Sequence, residues 1–234
     1  MKINKKLLSI VAISGIALPL LSPATANAAA TLTVNGVTTS IEENSPFESV
    51  DEPYQSSYSD FSNGQEVKTV LPADADYVPN TAKIQKYLEG YINEFRHING
   101  LSAVNWDQDS SINSFINKRI GQLDTVTAKN LSHDSYKKDK NKPQVSENIV
   151  CASDGINSDQ ETAYYLFAEW YSEIDPNEAD RGHLYNMLQE SDSGSLRVSY
   201  TTDGYIYAVG QNGSSHHISY QNIKKMPTHT FIYK

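Results

Sequence analysis

Apolar side chains recur at helical spacing soon after residue 80. Ile84, Tyr87, Leu88, Tyr91, Ile92, Phe95 and Ile98 fall at i, i+3, i+4, i+7, i+8, i+11 and i+14, which places them on one face of a 3.6-residue turn. Cap-type residues Asn80 and Thr81 precede this stripe and Asn99-Gly100 follows it, so the spacing predicts a helix between those signals. After a short extended piece, Leu101 to Trp106, a second stripe begins at Ser110 with Ile112, Phe115, Ile116, Ile120 and Leu123. Arg119 lies on that stripe and is expected to snorkel or to pair. A third helix is predicted over Ser158 to Ile174, with Ala163, Leu166, Phe167, Trp170 and Ile174 inward. The period then changes to two: Leu196, Val198 and Tyr200 alternate, Asp203-Gly204 turns, and Tyr205, Tyr207 and Val209 alternate again, the pattern of a β-hairpin. Trp106 and Trp170 read as core residues.

The first 28 residues have another character. Lys2, Lys5 and Lys6 precede an apolar run from Leu7 to Leu21 and a small-residue end, Ala26-Asn27-Ala28, the three regions of an export signal cleaved after Ala28. That run is too short for a membrane span, which needs about 20 apolar residues. Removing its three lysines takes the formal charge from −9 to −12, which argues against nucleic acid or an anionic membrane as the main partner. The C-terminal MPTHTFIYK has no apolar, basic-ended anchor. A secreted, extracellular protein is therefore expected, either released or held non-covalently at a cell surface.

Residues 29 to 80 carry nine acids against Lys68 alone, a composition that cannot offset ordering entropy by burial. A mostly disordered acidic arm is predicted, with a short hairpin around Leu32 to Thr39 where Asn35-Gly36 supplies the turn. From residue 81 onward the net charge is only −4, and the chain is long enough for one domain with a sizeable core. Cys151, the single cysteine, permits no intramolecular disulfide and reads as a small buried hydrophobe. A polar loop over 124–146 holds Lys137, Lys138, Lys140 and Lys142. Without interleaved aromatics this is a solvated loop rather than a contact for an anionic polymer such as teichoic or nucleic acid.

Glu173 is an acid at a buried margin. At 100° per residue it lies about 20° from Leu166 around the third helix, and Asp175-Pro176 then breaks the chain before Gly182-His183. The stretches INEFRHINGLSAVNWDQDSSINSFINKRI (92–120), LSHDS (131–135), SENI (146–149), EWYSEI (169–174), GHLYNML (182–188) and the hairpin SLRVSYTTDGYIYAVGQN (195–212) together resemble the CAP superfamily, the group of cysteine-rich secretory, antigen 5 and pathogenesis-related 1 proteins. The resemblance implies a three-layer α-β-α sandwich over 81–213, with 214–234 as a tail or an extra strand. It also implies a cleft built from His133, Glu147, Glu173 and His183. The sequence departs from the family at Ser146, where glycine is usual, and at Leu184, where an aromatic is usual.

Two neutral imidazoles can ligate a divalent cation while neighbouring carboxylates fix their tautomers. His133 and His183 are thus the candidate metal ligands of an open, weak, zinc-like site, and no cofactor is required. The cluster reads either as a polar network that ties the fold together or as a cleft for a small lipid, glycan or peptide, with a hydrolytic centre in which His and Glu activate water or a serine as the weaker alternative. No Gly-x-Ser-x-Gly or His-Glu-x-x-His motif supports the last. The leading expectation is a monomeric binding module for a small molecule or a cell-wall or host surface ligand. His216, His217 and His229 fall outside the matched region and are expected at the surface.

Overall fold

The computed structural model describes residues 30–34, 37–41, 66–71, 77–123, 131–153, 157–201, 204–213 and 216–233. The expected export signal lies outside these residues, as does most of the expected acidic arm. Within the arm, β1 (Ala30–Val34) and β2 (Val37–Ile41) pair antiparallel with Val34 opposite Val37, forming the hairpin expected at Asn35-Gly36.

The first amphipathic stripe becomes α1 (Thr81–Ile98). The side chain of Asn80 accepts from the Lys83 N–H at 3.2 Å, which satisfies an amide that a helix start leaves open. Gly100 ends the run at φ 75°, the left-handed region that glycine enters without a Cβ clash. There follow β4 (Asn105–Trp106), α2 (Ser110–Gly121), α3 (Asp134–Lys138), β5 (Val145–Ser153) and α4 (Asp159–Tyr171). A 3-10 turn, Ser172–Ile174, leads to α5 (Gly182–Met187), and β6 (Ser193–Tyr200) and β7 (Tyr205–Gly213) form the expected hairpin.

The central sheet has the order β4-β6-β7-β5 and is antiparallel except between β4 and β6. Successive strand residues face opposite ways, and here both faces are covered. Val150, Leu196, Val198, Ile206 and Ala208 pack with α1, α4 and α5. Their neighbours Ile149, Tyr207 and Val209 pack with Ile116 and Leu123 from the α2 side. This is a three-layer α-β-α sandwich, as expected. Phe95, Phe167 and Trp170 are almost wholly buried in the thicker layer, each large side chain contributing roughly 1.5–3 kcal/mol through the water it excludes.

The outer strand β5 is an edge whose backbone invites further pairing. Side chains occupy alternate rungs instead: the carbonyls of Val145, Glu147 and Ile149 accept from the Tyr136 hydroxyl, Asn186 Nδ2 and Trp170 Nε1. Arg96 fastens α1 to the chain beyond α5. Its guanidinium donates to the carbonyls of Ser102, Met187, Gln189 and Ser191 at 2.7–3.0 Å, and burial lowers its pKa to about 10.

Four expectations need correction. Glu66–Leu71, assigned by composition to the disordered arm, is a strand (β3) paired in parallel with β8 (Thr228–Tyr233) in the C-terminal segment. The average acidity of the arm hid an alternation that buries Val67 and Thr69. His229, expected at the surface, is buried, its ring 4.9 Å from that of Tyr164 and its Nε2 3.7 Å from Glu94 Oε1; His216 and His217 are exposed as expected. The loop over 124–146 contains α3 and the first residues of β5. Cys151 is half-buried rather than buried, and burial together with the Glu169 carboxylate raises its thiol pKa.

Candidate functional site

The four residues singled out from the sequence meet. His133 stands at the cap of α3 and Glu147 is the third residue of β5; His133 Nδ1 lies 2.9 Å from Glu147 Oε1. Glu173 sits on the 3-10 turn just past α4 and His183 in the first turn of α5, with His183 Nδ1 2.6 Å from Glu173 Oε1. A carboxylate only accepts, so each Nδ1 carries the proton and donates it, which leaves Nε2 as the ring atom available to a ligand. The two imidazole centroids are 6.4 Å apart at an interplanar angle of 33°. Both rings are about a third exposed, whereas the Glu147 side chain has no exposed surface.

Glu147 is the more heavily engaged acid. Arg119 donates to it twice, through Nε at 2.8 Å and Nη2 at 3.1 Å, and Gln211 Nε2 donates at 3.2 Å. The side chains of Arg119 and Glu147 are 1% and 0% exposed, so the arginine placed on an apolar stripe by sequence is a buried ion-pair partner. Arg119 Nη2 also donates to the Ser132 carbonyl at 2.8 Å, fixing the segment that carries His133. Glu173 divides its two oxygens: one takes the imidazole, and the other accepts the Leu184 N–H at 3.0 Å at the start of α5. The break at Asp175-Pro176 lets the chain reverse so that His183 returns beside Glu173. Tyr220, whose hydroxyl donates to the Ile174 carbonyl at 2.9 Å, places its ring 4.0 Å from the Arg181 guanidinium and props that return.

Several residues of the site lay outside the sequence reading. Asn148 Nδ2 donates to the His183 carbonyl at 2.9 Å, Asn186 Nδ2 donates to Asn148 Oδ1 at 2.8 Å, and Asn212 Nδ2 donates to the Asn186 carbonyl at 2.8 Å. Ser146, noted in the sequence only as standing where glycine is usual, uses its hydroxyl to accept from Gln189 Nε2 at 2.6 Å. Asn148 follows Glu147 in one extended strand, so the two point to opposite sides, and that adjacency is the one signal the sequence held for it. Tyr136 is a further neighbour: its ring lies 6.3 Å from that of His133, and burial, aided by the Glu147 charge, raises its pKa.

Two imidazoles are the protein donors such a site can give a cation, because both carboxylates are used on Nδ1. Among the described residues no group of three or more His, Cys, Asp or Glu is arranged to hold a metal ion. Tetrahedral zinc, with Zn–N bonds of 2.0–2.1 Å, would hold two imidazole centroids about 5 Å apart. The observed 6.4 Å is wider. The donor set therefore fits only a loosely held, exchangeable ion, and only after the rings approach each other.

No helix among the described residues is long and apolar enough to cross a membrane. No family model and no curated protein matches the chain. In structure the chain is similar to hookworm platelet inhibitor, at 14% identity and a TM-score of 0.39, over 65% of this chain and 81% of that one. It is also similar to NaASP2 with Zn2+, at 13% identity and a TM-score of 0.38, over 68% of this chain and 92% of that one. A third such structure is Na-ASP-1, at 15% identity and a TM-score of 0.40; the match takes in 68% of this chain but only 46% of the length of Na-ASP-1.

Proposed function

We propose that the chain is a secreted CAP-type binding module whose paired His–Glu site takes a small ligand through His133 and His183, with a divalent metal as a weak modulator. One observation carries this reading: two part-exposed imidazoles, each held at Nδ1 by its own carboxylate, stand 6.4 Å apart at the protein surface. A purely structural polar network would be expected to bury its histidines, as the fold does with His229. Leaving Nε2 of both rings to solvent while immobilising Nδ1 prepares two equivalent atoms for one ligand. Secretion is supported by the lysine-led apolar segment and the small residues at 26–28.

Any metal would be held by His133 and His183, and its chemistry would be to polarise whatever oxygen the ligand presents. Calorimetric titration of zinc into the secreted form, beside His133→Ala/His183→Ala, tests the reading. Weak, saturable one-site binding that disappears in the double variant is the expected result. Equal heats in the two proteins would remove the histidines from any binding role.

A further inference from the structure

The lysine run beside His133 reads differently once folded. Tyr136 stands immediately before it and supplies the aromatic that the spacing of the lysines alone did not reveal. Lys142 Nζ lies 4.3 Å from the centroid of the Tyr136 ring, and that ring is 6.3 Å from His133. The Tyr136 hydroxyl donates to the Val145 carbonyl, so the lip is fastened to β5 two residues from Glu147. Lys137 and Lys140 are exposed, and no ion pair holds either of them among the described residues. Of the acids in this stretch, Asp139 accepts from Lys118 and also feels the Lys142 charge, and Asp134 faces Lys138 at 3.6 Å with both side chains largely exposed. Four lysines against these two acids leave a chain of net charge −9 with a locally positive lip against its candidate cleft. Charges interact over about 8–10 Å at physiological salt, so the lip acts locally whatever the overall sign.

We propose that this lip binds a linear polyol-phosphate polymer and delivers one of its units to the histidine pair. Ammonium groups on α3 and on the turn beyond it suit repeated charges along a strand better than a single anion. The lip contains lysine and no arginine, and lysine meets phosphate as a point charge, whereas planar carboxylates favour the arginine fork. Nucleic acid is disfavoured because base stacking needs an open aromatic face. Tyr136 offers none, being packed against Lys142, His133 and, at 6.3 Å, Phe115.

The position of the ligand rests on the cleft reading above, and the test separates the two. Fluorescence anisotropy of a labelled glycerol-phosphate oligomer is followed against the secreted form at low and high salt. A thymidine oligonucleotide of equal charge and inorganic phosphate serve as competitors. The oligomer should bind and should lose affinity with salt. In Lys137→Gln/Lys140→Gln/Lys142→Gln affinity should drop on the order of tenfold or more, and the log–log salt slope should shrink by about 2, since each backbone charge neutralised on a single strand contributes about 0.7. Unchanged thermal melting of the triple variant would keep the loss from being attributed to misfolding. Wild-type affinity in the triple variant, equal competition by the oligonucleotide, or no saturable binding would each overturn the proposal. His133→Ala/His183→Ala should keep the salt slope. Should zinc titration fail while the oligomer still binds through the lysines, the cleft reading falls and the lip stands.

Discussion

Glu147 is where fold and site share a single group, and its partnership with Arg119 can be measured. Arg119→Met keeps most of the apolar volume but withdraws two charged donors, at 2.8 and 3.1 Å, from a carboxylate with no exposed surface. Gln211 and His133 remain, at 3.2 and 2.9 Å, yet neither carries a permanent charge. Breaking a buried ion pair from one side costs about 3–5 kcal/mol, because the remaining ion stays desolvated. For a domain of this size each kcal/mol shifts Tm by roughly 2–4 °C, so a fall of about 6–20 °C is expected. Glu147→Gln should cost a similar amount by stranding Arg119. Arg119→Met/Glu147→Gln should cost clearly less than the two single changes added together, because no ion is then left buried. Urea titration followed by tryptophan fluorescence reads this directly, since Trp170 is 1% exposed and donates to the Ile149 carbonyl two residues along β5. A cost below about 1 kcal/mol for Arg119→Met, or simple additivity in the double variant, would refute the claim that this pair anchors the site.

Glu89 provides a pH test. Burial holds its carboxyl above the ordinary value, against the pull of Lys86 at 2.6 Å. A raised folded-state pKa means that the folded state keeps the proton longer, so stability is complete below the unfolded pKa and declines as pH rises through the interval up to the folded one. Glu89→Gln should therefore melt higher than the parent at neutral pH and show a flatter profile above pH 4; a variant that loses stability equally at every pH would contradict this. Gly194→Ala probes the close approach of β6 to its neighbours. A Cβ there would stand 2.6 Å from Asn212 Oδ1 and 2.8 Å from Val104 Cγ1. Overpacking of this kind costs roughly 1–3 kcal/mol, seen as a lowered urea midpoint, and an unchanged midpoint would show that Asn212 can swing away without loss.

The sequence announced the helices because their apolar residues recur at helical spacing. Every residue of the α1 stripe from Ile84 to Ile98 is buried, along with the polar Glu89, Asn93, Glu94 and Arg96; Glu173, expected at a buried margin of the third helix, lies on the 3-10 turn past α4, where His183 meets it. The His and Glu residues were legible as chemistry-bearing types within stretches whose order resembled a known family. The amides that fix them were not. Asn148, Asn186 and Gln189 are ordinary polar residues without periodic signature, and their role exists only after α5 has been laid across β5. β3 escaped for a different reason. Its partner is β8, more than 150 residues away in the chain, and a composition averaged over the acidic arm cannot register a pairing that distant. His229 was misplaced with it, since its burial depends on β8 lying against Tyr91 and Tyr164.

The arrangement of β5 explains why the two histidines belong to one site although they arrive on different layers. Glu147 and Asn148 are consecutive, and an extended strand sends them to opposite sides. Glu147 holds His133 from the side where α2 supplies Arg119. Asn148 holds the backbone of His183 from the side where α5 packs. The gap between the imidazoles is therefore set across a single strand by two independent supports, one ionic and one amide. Glu173 adds a third from the end of α4. Because Glu147 and Asn148 are both buried, neither support can relax without disturbing the core behind it. That coupling resists closure of the 6.4 Å gap between the rings, so a cation that draws them together is held weakly. It also accounts for a surface site built on the edge strand of a sheet, where both faces of the strand are packed and its open edge remains within reach of the loops.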